Sequence, residues 1–451
     1  NSSMDMEFIE KFTDGYEKYR SEVMNSSWGE IVEISGVEKS EIQRIGELVG
    51  KSKSTIFCWA MGLTQHKNSV ATIQEIANVL LLGGHIGRDG AGLCPVRGHS
   101  NVQGDRTVGV NHNPSIEFLD SLNNEFGIDV PEEVGLDSVD SVREMNKGGA
   151  SIFVSMGGNF LSAMSDTKAT AEGLQKCSLT AHISTKPNRS HLVTGRTSVI
   201  LPCLGRTELD ITGGGAQFVT VENSMGVVHR SIGKRKPASE HLMSECAIVA
   251  GLATAIDDVR GPSGIPWSNL ISDYDSIRDC IERTIPGFDS FNERCRGDGG
   301  FYLPNPPRDS RVFRTETGLA NIITHKLQPV VIRDNEFLMM TIRSHDQYNT
   351  TIYSTNDRYR GISGGRRVVM MSRKDLESRG WKEFQAVSIT SHFRGNEISS
   401  DGWVIVEYDI PQGNVATYFP ESNVLIPLES VADWSNTPTS KSVIVTIEPM
   451  N

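Results

Sequence analysis

The sequence lacks any apolar run long enough to cross a bilayer. Its most apolar stretch, around Ile76 to Leu82, falls far short of the about 20 residues required. It also lacks cysteines at cluster or redox spacing. The seven, at positions 58, 94, 177, 203, 246, 280 and 295, contain no CxxC, and such an odd, scattered set reads as reduced thiols in a cytoplasmic compartment. Positive charge is in deficit. With 44 basic and 56 acidic residues the formal net charge is −12, which repels a nucleic-acid backbone at long range. A phosphorylated cofactor stays compatible, because local arginines and helix N-termini hold phosphates inside acidic proteins. Three common catalytic signatures are missing: the P-loop GxxxxGK[ST], the GxSxG elbow and HExxH. Gly83-Gly-His-Ile-Gly-Arg88 follows a helical stretch instead of a strand, so it is not the dinucleotide fingerprint.

What is present is a chain of 451 residues with 43 glycines, gathered in short clusters that imply tight backbone turns. By length it is expected to hold roughly three domains. It opens on Asn1 and not on methionine, so its true N-terminus, and any export signal there, is expected to lie outside it. Asp5 to Lys18, with Met6, Ile9, Phe12 and Tyr16 at helical spacing, predicts one helix ending before Asn25-Ser-Ser. A second helix carries Ile42, Ile45 and Leu48 on one face, with Ser40 as its expected cap. Thr55-Ile-Phe-Cys-Trp-Ala60 reads as a buried strand leading into a helix from about Ser69 to Leu82, the strand–loop–helix unit of an open parallel sheet.

A similar unit begins at Ala150-Ser-Ile-Phe-Val-Ser-Met-Gly-Gly-Asn159, with a helix expected from about Asp166 to Lys176 and strands at Ser178–Ile183 and Ser198–Pro202. From about Ala255 to Asn321 the pattern weakens into helices and connecting loops. From about Glu336 six short β-branched runs follow: Phe337–Ile342, Arg367–Met371, Ala386–Thr390, Trp403–Tyr408, Asn414–Tyr418 and Ser442–Ile447. Six such runs predict a small β-barrel or sandwich.

Four polar clusters stand at strand or loop ends: Trp59–His66, Gly83–Gly104, Gly157-Gly-Asn159 and Arg343-Ser-His-Asp-Gln-Tyr-Asn-Thr-Thr351. Glycine lets a ligand reach the backbone, and exposed amides hold anionic oxygens. In open α/β folds ligands sit at the carboxyl ends of strands. Each cluster taken alone reads first as a set of turns, since a lone glycine motif is a weak signal. Gly213-Gly-Gly215 reads only as a flexible loop, Gly233-Lys-Arg-Lys236 as a solvated turn, and Cys94 as a packed or exposed thiol.

In order along the chain, Met61-Gly-Leu-Thr-Gln-His66, Leu81-Leu-Gly-Gly-His-Ile-Gly-Arg-Asp-Gly-Ala-Gly92, Pro95-Val-Arg-Gly-His-Ser-Asn-Val-Gln-Gly104, Ile200-Leu-Pro-Cys-Leu-Gly-Arg-Thr-Glu-Leu-Asp210 and Val219-Thr-Val-Glu-Asn-Ser-Met-Gly226 resemble the molybdopterin-dependent oxidoreductases. The likeness is to formate-dehydrogenase-like alpha subunits of the YdeP-type branch and covers nearly the whole chain. It implies open α/β (Rossmann-like) layers followed by a C-terminal six-stranded-type β-barrel. It also implies a molybdenum or tungsten ion held by two molybdopterin guanine dinucleotides, with a [4Fe-4S] cluster in the parent protein. Family members begin with a cysteine-rich region and a segment carrying the metal's protein ligand. This chain resembles the portion after both, so no residue here is assigned as a metal or cluster ligand, and the chain alone is expected to be inactive. The expected divisions are 1–110, the C-terminal part of one α/β cofactor-binding domain; 111–255, a second; 256–332, a connecting region; and 333–451, the barrel.

By the same resemblance Arg97 matches the arginine beside the metal, where a planar, permanently charged fork would orient a small carboxylate. His99 is a weaker proton-relay candidate. Gly62, Gln65, His66 and Gln103 are expected cofactor contacts. So are Gly157, Gly158 and Asn159, with His182 and Thr185 at the end of the next strand. In the barrel the expected set is Arg343, Ser344, His345, Gln347, Asn349, Thr350, Thr351, Tyr418, Asn423 and Lys441. The implied function is two-electron oxidation of a small anion such as formate, in the cytoplasm, with an electron-transfer partner protein and neither nucleic acid nor a membrane span. The alternative is a non-catalytic scaffold subunit that keeps the fold without a metal.

Overall fold

A computed structural model describes residues 4–350 and 353–450. The chain divides into two compact units: residues 1–98 with 304–334 and 431–437, and residues 99–303 with 335–430 and 438–451.

The first unit is helix-rich. Helices Met6–Phe12, Tyr16–Asn25, Trp28–Ser35 and Lys39–Lys51 precede strand β1 (Ile56–Trp59), which pairs in parallel with β2 (Gly92–Pro95) across helix α1 (Ser69–Leu82). Its core gathers Phe8, Leu80, Leu81, Ile86, Ala320 and Ile322. The single helix expected over Asp5–Lys18 is broken. Thr13 and Asp14 leave the helix to pair in parallel with Ala320 and Asn321, and Gly15 takes φ 87°. A Cβ there would stand 2.6 Å from the Ile322 carbonyl, so the close approach needs glycine. Ser40 lies inside its helix, whose cap position is Glu38. β1 is not a buried strand, since Ile56 is 48% exposed and Cys58 is exposed too.

In the second unit β3 (Ile152–Met156), β4 (Leu179–Ser184) and β5 (Thr197–Pro202) form a parallel three-stranded sheet in the order β3-β4-β5. Helix α2 (Thr167–Lys176) makes the crossover from β3 to β4, and the Asp166 carboxylate accepts from the Ala169 amide at its start. Leu174 packs in the same layer as Val139, Val142 and Met145 of the preceding helix Ser138–Lys147, all of them buried. β4 is buried on both faces from Thr180 onward, as expected of the central strand of a parallel sheet. Gly213-Gly-Gly215 is a tight turn, not a flexible loop: Ile211–Thr212 pairs with Gly215–Ala216, and the Gly214 amide donates to the Ser272 carbonyl (2.8 Å).

All six β-branched runs become strands of one closed barrel: β6 (Glu336–Ile342), β7 (Val368–Met371), β8 (Ala386–Phe393), β9 (Asn396–Glu407), β10 (Asn414–Tyr418) and β11 (Val443–Pro449), in the cyclic order β6-β10-β7-β9-β8-β11. Alternate residues fill it. Phe337, Met339, Val369, Met371, Val387, Ile389, Trp403, Ile405, Val415 and Val445 are all fully buried, the period-2 pattern of a small barrel whose interior is side chain. Val368 and Met370 face the other way, onto a second cluster with Ile362, Ala416 and Tyr418. The architecture is therefore open α/β layers followed by a six-stranded barrel.

Candidate functional site

Two polar constellations lie in the second unit. The first caps the carboxyl ends of β3 and β4. Gly157 and Gly158 both adopt left-handed backbone (φ 65° and 70°), and a Cβ on either would meet nothing within 4 Å, which leaves their backbone open on one side. The Gly158 carbonyl accepts from Asn188 Nδ2 (2.7 Å). Asn159 is buried, and its Oδ1 accepts from Ser190 Oγ (3.1 Å). His182 on β4 is 2% exposed, with its ring 4.7 Å from that of His191. Burial, then the neighbouring His191, pushes its pKa below the usual imidazole value. The Nε2 atoms of both rings are buried without a partner. Thr185, just beyond the strand, is exposed. Asn188, Ser190 and His191 were not singled out from the sequence, although Asn188 and His191 stand at capping-box spacing and form one.

The second constellation is the loop after β6, with the turn after β10 beside it. Arg343 donates to Asn349 Oδ1 (3.2 Å) and lies over the Phe419 ring. Lys441 donates to the carbonyl of Thr341 and to its hydroxyl (3.3 Å). Burial, reinforced by the charge of Arg343, pushes the Lys441 ammonium down to about 8. Neither cation has an ion-pair partner among the described residues, while Thr350 Oγ1 is buried and unpartnered. Two cations held together without an acid are costly unless an anion completes them. His345 is exposed, stacked on Tyr359 (4.4 Å) and 3.7 Å from Asp357. Burial alone would raise the Asp357 carboxyl, but bonds from Tyr418 (2.8 Å) and Arg360 (2.6 Å) outweigh it and hold it below the usual range.

Several expected contacts have their polar atoms taken up by the protein. Gln347 donates to the Asn349 and Phe419 carbonyls and accepts from the Ser344 amide and Arg366. Tyr418 is committed to Asp357, and Asn423 donates to the Ser162 and Ala163 carbonyls (2.8 and 3.3 Å). Thr351 lies outside the described residues. Gln103 donates to Glu222 Oε1 (3.1 Å), and Glu222 also accepts from Thr107 (2.6 Å). His99 is exposed and meets Tyr348 of the barrel loop edge to face at 5.9 Å.

Gly62, Gln65, His66 and Arg97 belong to the first unit. Gly62 is exposed in the short helix Met61–Thr64, Gln65 follows it, and His66 is half-buried. Arg97 is exposed just beyond β2. Among the described residues no three histidine, cysteine or acidic side chains gather to hold a metal ion, and no helix is long and apolar enough to cross a membrane.

Residues 337–444 match the family described as Molydopterin dinucleotide binding domain. An uncharacterised oxidoreductase of Mycobacterium tuberculosis is 46% identical over 99% of this chain and 58% of that protein. Protein YdeP of Escherichia coli is 42% identical over 100% of this chain and 60% of its own length. The chain is thus similar along its whole length to these two proteins and carries a molybdopterin dinucleotide binding domain at residues 337–444. It spans about three-fifths of the length of these relatives. A Staphylococcus aureus protein provisionally named a formate dehydrogenase is 28% identical over 32% of this chain and 15% of that protein. Among solved structures, acetylene hydratase from Pelobacter acetylenicus has the same fold, with TM-score 0.69 at 13% identity over 99% of this chain and 68% of that one.

The residues fit the phosphates of a dinucleotide. Its pyrophosphate matches the chemistry of Arg343 and Lys441, which have no acid partner. The open backbone at Gly157-Gly158 suits close approach by a flat or anionic group.

Proposed function

We propose that this chain is the cofactor-holding part of the catalytic subunit of a molybdenum- or tungsten-dependent oxidoreductase, formate-dehydrogenase-like, acting on a small anion such as formate. The observation that carries the reading is the Arg343–Lys441 pair, both half-buried and without an acid partner among the described residues, in a domain that matches the dinucleotide-binding family.

The cofactor, two molybdopterin guanine dinucleotides around one metal, supplies a centre that changes oxidation state as the substrate gives up two electrons. The chain supplies binding and orientation. Arg343, Lys441, His345 and Thr350 hold one dinucleotide, in a loop whose shape Ser344, Gln347 and Asn349 fix from within, with Tyr418 and Asn423 beside it. Gly157, Gly158 and Asn159, with His182 and Thr185, receive the other, and Gly62, Gln65, His66 and Gln103 add hydrogen bonds. Arg97 orients the substrate's carboxylate, because its guanidinium stays charged at every working pH and offers two parallel donors. His99 holds or releases a proton at an imidazole nitrogen. A [4Fe-4S] cluster, an electron-transfer partner and a cytoplasmic setting complete this reading, as does the division at residues 110, 255 and 332.

The test is metal and guanine-nucleotide content per chain in the longest native form of the protein. About one molybdenum or tungsten and about two guanine nucleotides are expected. Arg97→Ala should then lower turnover at least about a hundredfold with the metal retained. Neither metal nor nucleotide, in cells that load a known molybdoenzyme, would put the scaffold reading in its place.

A further inference from the structure

Arg366 stands just before β7, in the sequence Gly-Gly-Arg-Arg, and is 6% exposed. An arginine this deep needs every donor answered. Its Nε donates to Glu421 (2.9 Å), one terminal nitrogen to Ser344 Oγ (2.9 Å), and the other to Gln347 Oε1 (2.9 Å) and the Phe419 carbonyl (2.8 Å). Its guanidinium also lies over two aromatic rings, 4.5 Å from the centroid of Tyr353 and 4.6 Å from that of Tyr418. Four bonds and two ring faces tie the chain entering β7 to the loop after β6 and to the turn after β10.

The loop it grips is the one that carries Arg343, His345 and Thr350. Ser344 and Gln347 lie among those residues along the chain, and both side chains bond Arg366. With Ser344 and Gln347 fixed, the backbone that carries Arg343, His345 and Thr350 is held in place. We infer that Arg366 is a positioning residue that pre-forms the dinucleotide-binding loop of the barrel, touching no ligand itself and setting the geometry of the residues that do. The inference rests on the cofactor reading above. A planar fork with five donors suits this place, and a lysine does not, because one ammonium can neither span three segments nor cover both tyrosine rings.

The experiment compares wild type with Arg366→Lys in the longest native form of the protein, by backbone amide exchange and by guanine nucleotide retained after purification. Exchange across residues 343–350 is expected to rise about tenfold in the variant, while the β8–β9 hairpin stays as in wild type. The variant should retain less than about a third of the wild-type nucleotide, and adding Gln347→Leu should change this little, because both changes free the same loop. Unchanged exchange at 343–350, or an equal rise throughout the barrel, would overturn the inference. A wild type without nucleotide would instead overturn the cofactor reading, and the exchange pattern would still decide the role of Arg366. If Arg366→Lys does not fold, Ser344→Ala removes only one hydroxyl, with its bonds to Arg366 and to Gln347 Oε1, and should give the same local pattern; a uniform rise there would also overturn it.

Discussion

Lys441 is a base whose folded-state pKa, at about 8, lies below its ordinary value of 10.5, because burial and then Arg343 oppose its charge. Between those two values the unfolded chain binds more protons than the folded one, so this residue makes stability rise with pH across that window. Below about 8 the folded protein carries the full cost of the buried charge. Lys441→Met should therefore be more stable than wild type by about 1–2 kcal/mol at pH 7, and this advantage should fade as the pH approaches 10. Urea unfolding of both proteins, free of ligand, at pH 7 and pH 10 measures it. A difference independent of pH would mean that Lys441 is not held charged against its surroundings. Bound guanine nucleotide should erase the advantage at pH 7, since the phosphates supply the missing counter-charge.

The α/β layer and the barrel of the second unit are joined by a short helical turn, Glu421–Leu425. Asn423 there is 2% exposed and donates to the carbonyls of Ser162 and Ala163, while the Asp166 amide donates to the carbonyls of Asn423 and Ile426. Asn423→Leu keeps the branched shape but leaves the buried Ser162 carbonyl without its side-chain donor. It should cost about 2–4 kcal/mol in urea unfolding, and a loss under about 0.5 kcal/mol would show that water repairs the junction.

Contacts of this kind separate what the sequence discloses from what it hides. The barrel strands were legible because alternate burial prints a period of two on Phe337–Ile342 and its fellows, and α1 because its ends coincide with Ser69 and Gly83. The break at Thr13–Gly15 was not, since its cause is a strand about 300 residues away. Gln347 and Asn423 read as ligand donors from the sequence, yet their partners inside the fold already occupy them. Arg366 showed no signal at all: its partners lie 19 to 55 residues away, and no local spacing encodes a three-way junction.

For the molecule as a whole, the charge that opposes a nucleic-acid backbone at long range also bears on how an anionic cofactor would be received. A net charge of −12 repels guanine nucleotide at long range, whereas on the proposed reading Arg343 and Lys441 attract it at contact from a partly desolvated loop. Salt screens these two effects unequally. At 0.1 M the Debye length is about 10 Å, so added salt removes the long-range repulsion first and weakens the buried contact much less. An open basic patch would behave in the opposite way, losing affinity steeply as counterions return. Affinity for guanosine diphosphate, measured by calorimetry on the ligand-free protein between 20 and 200 mM salt, should therefore change less than about threefold. A loss of tenfold or more would place the nucleotide on exposed surface cations, and the pair at Arg343 and Lys441 would then be a structural feature of the barrel and not its binding site.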